Sequence, residues 1–287
     1  MRPTAPLIAL LAVLTISAHA SSATAETCTD AVMTGKYNDA VAACTKTIGT
    51  ATEAKNVAAA YRNRGIAYLA TGQAALAVED LDNAIQRDGT DASAYDNRGA
   101  AYLALGKLTE AIADLDKAIT LDPQDSIAYK NRGAAYLGKG QADNAVADYT
   151  KAIQLNPKDE DSLNGLGAAY FAKKDGDKAI VAFTKAIELD PKNDEPYRNA
   201  GAVFMAAGQY DNAKTSFTKA IELDPADSRG YYNMACLSSL QKQTEESCSW
   251  LQKAVDHGYQ NWGHLKQDSD LNNIRGSDCY KKIVKGK

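Results

Sequence analysis

Two short stretches hold residue types that do chemistry. Ser216-Phe217-Thr218-Lys219 has the S-x-x-K spacing, in which a lysine one helical turn on activates a serine nucleophile for acyl transfer. Asp268-Ser269-Asp270-Leu271-Asn272 opens like a calcium loop, whose alternate oxygens surround a hard cation. Neither is completed. The S-D-N and K-T-G companions of the first are absent, Asn273 stands where a calcium loop needs glycine, and Cys279 replaces its closing glutamate. The histidines, His19, His257 and His264, show no metal-ligand spacing, and there is no glycine-rich phosphate loop. The Asp268 stretch reads as a polar helix start, with a weak calcium site as the alternative, and catalytic residues, metals and cofactors are therefore not expected. Five cysteines leave one thiol over if the others pair, and the absence of C-x-x-C speaks against a redox role.

The serine motif dissolves once the elements around it are read. DYTKA, AFTKA and SFTKA recur at 148–152, 182–186 and 216–220, so Lys219 is a repeat position and Ser216 is incidental. The period is 34. Glycines fall at 65, 99, 133, 167 and 201; Tyr61, Tyr95, Tyr129, Leu163, Tyr197 and Tyr231 keep that step, and so do Tyr68, Tyr102, Tyr136, Tyr170 and Phe204. Pro123, Pro157, Pro191 and Pro225 close four units. Each unit holds two stretches of helical period joined near Gly72, Gly106, Gly140, Gly176 or Gly208. Asp91, Asp125, Asp159, Asn193 and Asp227 precede each first helix as N-caps. One hairpin cannot bury its own apolar face, so neighbours must stack.

These landmarks resemble the tetratricopeptide repeat (TPR) pattern, aromatic-x-x-L-G-x-x-Y…A-x-x-x-F…P. Unit 160–193 shows it as Leu163, Leu166, Gly167, Tyr170, Ala179, Phe183 and Pro191. The resemblance implies an all-α TPR helix-hairpin solenoid, a right-handed superhelix with helical caps. The expected order is a signal peptide at 1–25, a degenerate TPR-like cap at 26–57, five units at 58–91, 92–125, 126–159, 160–193 and 194–227, a degenerate sixth at 228–261, and a C-terminal helical cap at 262–287.

The signal is read from Arg2, the short apolar run Pro6 to Ile16, and small residues at Ala18-His19-Ala20 or Ala23-Thr24-Ala25, cleavage following Ala20 or Ala25. An uncleaved anchor is the alternative. A periplasmic or secreted location is expected, with no membrane span after signal removal, and the repeat style resembles exported bacterial TPR proteins. The formal charge of -4 leaves no basic surplus for nucleic-acid phosphates.

Within the repeat, the seventh places read Arg64, Arg98, Arg132, Leu166, Ala200 and Met234, and the twenty-third read Asp80, Asp114, Asp148, Ala182, Ser216 and Trp250. Arginine occurs only with aspartate. This predicts structural ion pairs within the first three hairpins or between neighbours; a row of arginines gripping an acidic ligand is the alternative. The sixth places read Asn63, Asn97, Asn131, Asn199 and Asn233, with Gly165 in unit four. In TPR proteins that place faces the inner, concave surface, where an asparagine ladder can hold a peptide backbone; helix–helix hydrogen bonding is the equal alternative. Arg62, Lys130, Arg198, Tyr232 and Phe171, with Leu69, Leu103, Leu137 and Met205, are further inner-face candidates. By the same resemblance Cys28 and Cys44 face each other and form a disulfide, Cys248 pairs with Cys279, and Cys236 is left free; Cys236, Cys248 and Cys279 permit other pairings. The function implied is a scaffold or adaptor that binds a protein or peptide partner, not an enzyme. The rivals are a secreted cysteine-containing helical-repeat protein that binds or hydrolyses β-lactams, and a self-assembling structural protein.

Overall fold

Hairpin follows hairpin along the chain, each made of helices of 11 to 17 residues. The computed structural model describes residues 23–285; residues 1–22 of the expected signal segment lie outside the described residues. All elements among the described residues are helical, and they divide into two units, 1–157 and 158–287. The first unit holds four hairpins: α1 (Ala23–Met33) with α2 (Tyr37–Thr50), α3 (Ala54–Ala70) with α4 (Ala74–Arg87), α5 (Ala92–Ala104) with α6 (Leu108–Leu121), and α7 (Ser126–Gly138) with α8 (Ala142–Leu155). The second holds three: α9 (Glu160–Ala172) with α10 (Gly176–Leu189), α11 (Asp194–Ala206) with α12 (Tyr210–Leu223), and α13 (Ser228–Leu240) with α14 (Thr244–Asp256). It closes with α15 (Trp262–Gln267), a 3₁₀ turn at Ser269–Leu271 and α16 (Asp278–Val284).

Each hairpin turns on one left-handed residue. Gly72, with φ 76°, is typical: its N–H bonds to Leu69 O and the next N–H, of Gln73, to Tyr68 O, closing the first helix as a Schellman motif. The fourth repeat departs from expectation. There the left-handed residue is Lys174, φ 64°, and Gly176 opens α10 instead. At the helix starts Asp91, Asp125, Asn193 and Asp227 accept backbone N–H bonds as caps, whereas Asp159 makes no such bond and accepts from the Ser162 hydroxyl at 2.7 Å.

The small-to-large pairing at the eighth and twenty-fourth places sets how closely the two helices approach. Gly65, Gly99, Gly133, Gly167 and Gly201 lie against Leu81, Leu115, Tyr149, Phe183 and Phe217, all buried. A Cβ on Gly201 would stand 2.5 Å from the Phe217 ring. Gly201→Ala is accordingly expected to cost about 1–3 kcal/mol by overpacking. Gly49, in α2 with nothing within 4 Å of its Cβ direction, is the control: Gly49→Ala should gain roughly 0.5–1 kcal/mol by restricting the unfolded chain. Urea unfolding of the two variants checks both signs.

The first and last hairpins fill the same slot differently. In the first, Cys28 and Cys44, 16 residues apart as Gly65 and Leu81 are, lie at disulfide distance with Cα atoms 4.8 Å apart and both side chains buried. In the last, Ala235 replaces glycine and faces buried Leu251, and buried Ser247 donates its hydroxyl to Ala235 O at 2.7 Å. Leu265, Leu271, Ile274 and Tyr280 from the closing segment pack on α13 and α14, so the last apolar face is covered by chain that no longer repeats.

Candidate functional site

The arginines of the seventh places sit in built slots. Arg98 donates through Nε to Asp114 Oδ2 at 2.6 Å and through Nη2 to Oδ1 at 2.7 Å, a bidentate pair across its own hairpin. Its remaining nitrogen, Nη1, reaches back to Asp82 on α4 at 2.6 Å. Arg132 repeats this with Asp148 and with Asp116 on α6; Arg64 does so with Asp80 and with Thr45 on α2. Each guanidinium lies between two tyrosines of its own helix, Tyr95 and Tyr102 in the case of Arg98, at 5.6 and 5.9 Å from the ring centres. The carboxylate of Asp114 holds Arg98 still further above the ordinary guanidinium range. One arginine thus ties three helices, and both readings of the sequence, within a hairpin and between neighbours, describe the same side chain. The backward contact had a signal: the twenty-fifth places read Thr45, Asp82 and Asp116, each an acceptor one hairpin before an arginine.

The asparagines of the sixth places are turned into the stack. Asn63, Asn97 and Asn131 are buried, and Asn199 and Asn233 half-buried. Asn131 donates to Asp96 Oδ1 at 3.0 Å, Asn199 to Asn164 Oδ1 at 3.0 Å, and Asn63 to the Thr29 hydroxyl at 2.9 Å, in each case reaching the preceding first helix. Asn97 donates within its own helix, to Ser93 O at 2.8 Å. The carbonyl oxygens of Asn97 and Asn131 are buried without a hydrogen-bond partner among the described residues.

Several charged candidates are also committed internally. Arg62 pairs with Asp91 at 2.8 Å, and Arg198, with its side chain 7% exposed, pairs with both Asp194 and Asp227. Lys130 is buried beside Asp96. Tyr232 does not face an open groove: it is stacked on Tyr259 at 4.3 Å and donates to Asp268 at 2.6 Å, because the closing segment folds back over α13. Phe171 is different, standing 37% exposed at the end of α9. Leu69, Leu103 and Met205, at the same place in their own hairpins, keep part of their surface open, while Leu137 is buried.

Tetratricopeptide repeat family models match residues 101–140, 126–159, 160–193, 194–227 and 216–248, which together span just over half of the chain. The chain belongs to the tetratricopeptide repeat family. Among solved structures it is similar to a TPR protein from Parabacteroides merdae, at 18% identity and TM-score 0.69, over 88% of this chain and 97% of that one. The Cut9–Hcn1 hetero-tetramer of the APC/C is similar at 19% identity and TM-score 0.70, over 89% of this chain and 48% of that one. MamA from Desulfovibrio magneticus RS-1 matches at 27% identity and TM-score 0.53, over 58% of this chain and 95% of that one. No curated protein matches the sequence.

Around this TPR frame the other chemistry-bearing residues fall as follows. Lys219 is paired with Glu222 at 3.2 Å on an exposed face of α12, and Phe217 between it and Ser216 is fully buried. Cys248 and Cys279 lie at disulfide distance with Cα atoms 6.0 Å apart, joining α14 to α16, and Cys236 is free and buried. Burial pushes the Cys236 thiol well above its ordinary range.

Asp96 is the most perturbed carboxyl. Burial, then the nearby Asp125 charge, pushes it up to about 7, against the hydrogen bond from Asn131 and the charge of Lys130. Its native value lies above the unfolded one, so the folded TPR stack holds the extra proton. Stability from this group is complete below about pH 4 and is lost as pH rises through about 7. Asp96→Asn removes the titration. It is expected to flatten that decline and to raise stability at pH 8 by on the order of 2 kcal/mol, read from denaturant melts at pH 5 and pH 8.

Proposed function

We propose that this TPR chain is an exported adaptor that holds an extended segment of a protein partner against the face made by its first helices, and does no chemistry of its own. The observation that carries the reading is, in each unit by itself, the apolar residues at the ends of those helices: Leu69 and Leu103 in the first, Phe171 and Met205 in the second. The fold buries Leu81, Leu115, Tyr149, Phe183 and Phe217 of the second helices, yet leaves Phe171 more than a third exposed and Leu69, Leu103 and Met205 partly open. Apolar side chains left at least partly open at that one place in four of the five repeats, Leu137 being buried, suit a segment with apolar anchors. The internal pairing of Arg62, Arg198 and the asparagines shifts the weight of recognition from a polar ladder to these apolar positions.

The two cysteine pairs at disulfide distance fit an oxidising compartment, and no described helix is long and apolar enough to cross a membrane; these support placement in the periplasm or outside the cell. Crosslinking in an envelope extract should capture a partner. A peptide from its crosslinked segment should bind the mature chain in an anisotropy titration, and Phe171→Ser or Leu103→Ser should weaken that binding at least tenfold with little change in Tm. Unchanged affinity in both variants would remove this face from consideration. The β-lactam reading has no supporting geometry at Ser216, and a nitrocefin assay on the purified protein decides it.

A further inference from the structure

The closing segment of the second unit brings together side chains that no repeat position supplies. Cys236 comes from α13; Asp268 and Asp270 come from the turn that follows α15. The Cys236 sulphur and one oxygen of each carboxylate all lie within 4.8 Å of one another. Cys236 is 2% exposed, and it is the one cysteine outside the two pairs.

We propose that Cys236, Asp268 and Asp270 ligate a single thiophilic divalent cation of the zinc class, with water as its fourth ligand. Three features carry this. The first is distance. Sulphur at about 2.3 Å and oxygen at about 2.1 Å from one tetrahedral ion stand about 3.6 Å apart, and Cys236 Sγ lies 3.6 Å from Asp268 Oδ2. The second is charge. No described lysine, arginine or histidine makes an ion pair with either carboxylate; Arg275 turns to the Asp268 backbone carbonyl, at 2.7 Å, and the Asp270 carboxylate has no hydrogen-bond donor among the described residues. Two carboxylates and a thiol drawn together repel on ionising, among the described residues only the His264 ring offsets the charge of Asp270, and a divalent ion removes that repulsion. The third is the surrounding shell. Tyr232 donates to Asp268 Oδ2 at 2.6 Å, and the Asp270 N–H donates to Asp268 Oδ1 at 3.0 Å, which together hold that carboxylate in orientation. Three residues beyond Cys236 on α13, hence on the same side of the helix, Ser239 is fully buried and its hydroxyl has no hydrogen-bond partner among the described residues. In this proposal that hydroxyl is the partner of the metal-bound water.

The donor set decides the class of ion. One thiolate with two carboxylates suits a borderline cation, whereas calcium asks for six or more oxygens. Binding converts the Cys236 thiol to thiolate and releases one proton for each ion taken up.

The test uses the mature protein, stripped with a chelator and with both cysteine pairs left oxidised. Cobalt is titrated first as the spectroscopic probe. One equivalent should bind with a thiolate-to-cobalt charge-transfer band in the near ultraviolet, and zinc should displace it. Cys236→Ser should abolish the band. Asp270→Asn, at a half-exposed position that folding tolerates, should weaken zinc binding at least tenfold in competition with a chromophoric chelator. Zinc should raise the Tm of the parent and leave that of Cys236→Ser unmoved. Absence of the band in the parent, its persistence in Cys236→Ser, or calcium uptake without it would each overturn the assignment. None of these readouts depends on partner binding.

Discussion

Arg98→Leu is expected to lower the unfolding free energy by about 3–5 kcal/mol, the cost of leaving a buried charge without its partner. The charge left behind is Asp114, whose side chain is 10% exposed and which receives both of the short bidentate bonds from Arg98. Asp82, the other partner, is 44% exposed and returns to solvent. This asymmetry makes three results separable in one series of denaturant melts. Adding Asp114→Leu to Arg98→Leu should recover most of the loss, since the pair is replaced by apolar groups in an apolar layer. Asp82→Asn alone should cost less than about 1 kcal/mol, as a solvent-facing pair does. A double variant as unstable as Arg98→Leu would show that the arginine acts through its packing between Tyr95 and Tyr102 and not through Asp114.

Opening the first hairpin is expected to have the next largest effect. Cys28→Ala with Cys44→Ala should remove about 3 kcal/mol, the closure entropy of a loop of this length. The first hairpin has no counterpart to the Arg98 pair, since Thr27 and Ala43 stand at the seventh and twenty-third places. Among the described residues the cysteine pair joins α1 to α2, and Val32 and Ala40 of these helices pack with Ile66 and Ala67 of α3 in a small apolar cluster. The loss should therefore be local. Hydrogen exchange should show α1 and α2 opening while α5 to α8 keep their protection. Reductant should reproduce the double variant in the parent chain, and uniform loss of protection along the first unit would mean that the hairpin is not an independent cap.

How much of this was legible depends on whether a contact follows the period. Gly99 against Leu115 and Arg98 against Asp114 are each 16 residues apart, and the same separation recurs in other hairpins, so a repeated sequence displays its own contacts as an internal alignment. Cys28 and Cys44 fall at that separation too. The turn at Lys174 was hidden because a left-handed lysine has no sequence marker, and the nearby Gly176 drew the reading two residues along. The asparagines were ambiguous for a physical reason: an amide that pairs with a neighbouring helix and one that pairs with a ligand are the same residue type at the same place.

By itself the sequence determined the all-helical hairpin repeat, its 34-residue pitch, and the matching of arginine with aspartate, because each follows from residue types recurring at one spacing. The folded chain decided the rest. It turned Asn131 and Arg198 inward, left Phe171 open, and covered Tyr232 with Tyr259. It also brought Cys236 to Asp268 across 32 residues that keep no register with the repeat. Burial and proximity between elements that share no period are set only when the apolar faces pack, and no single stretch of chain contains that information.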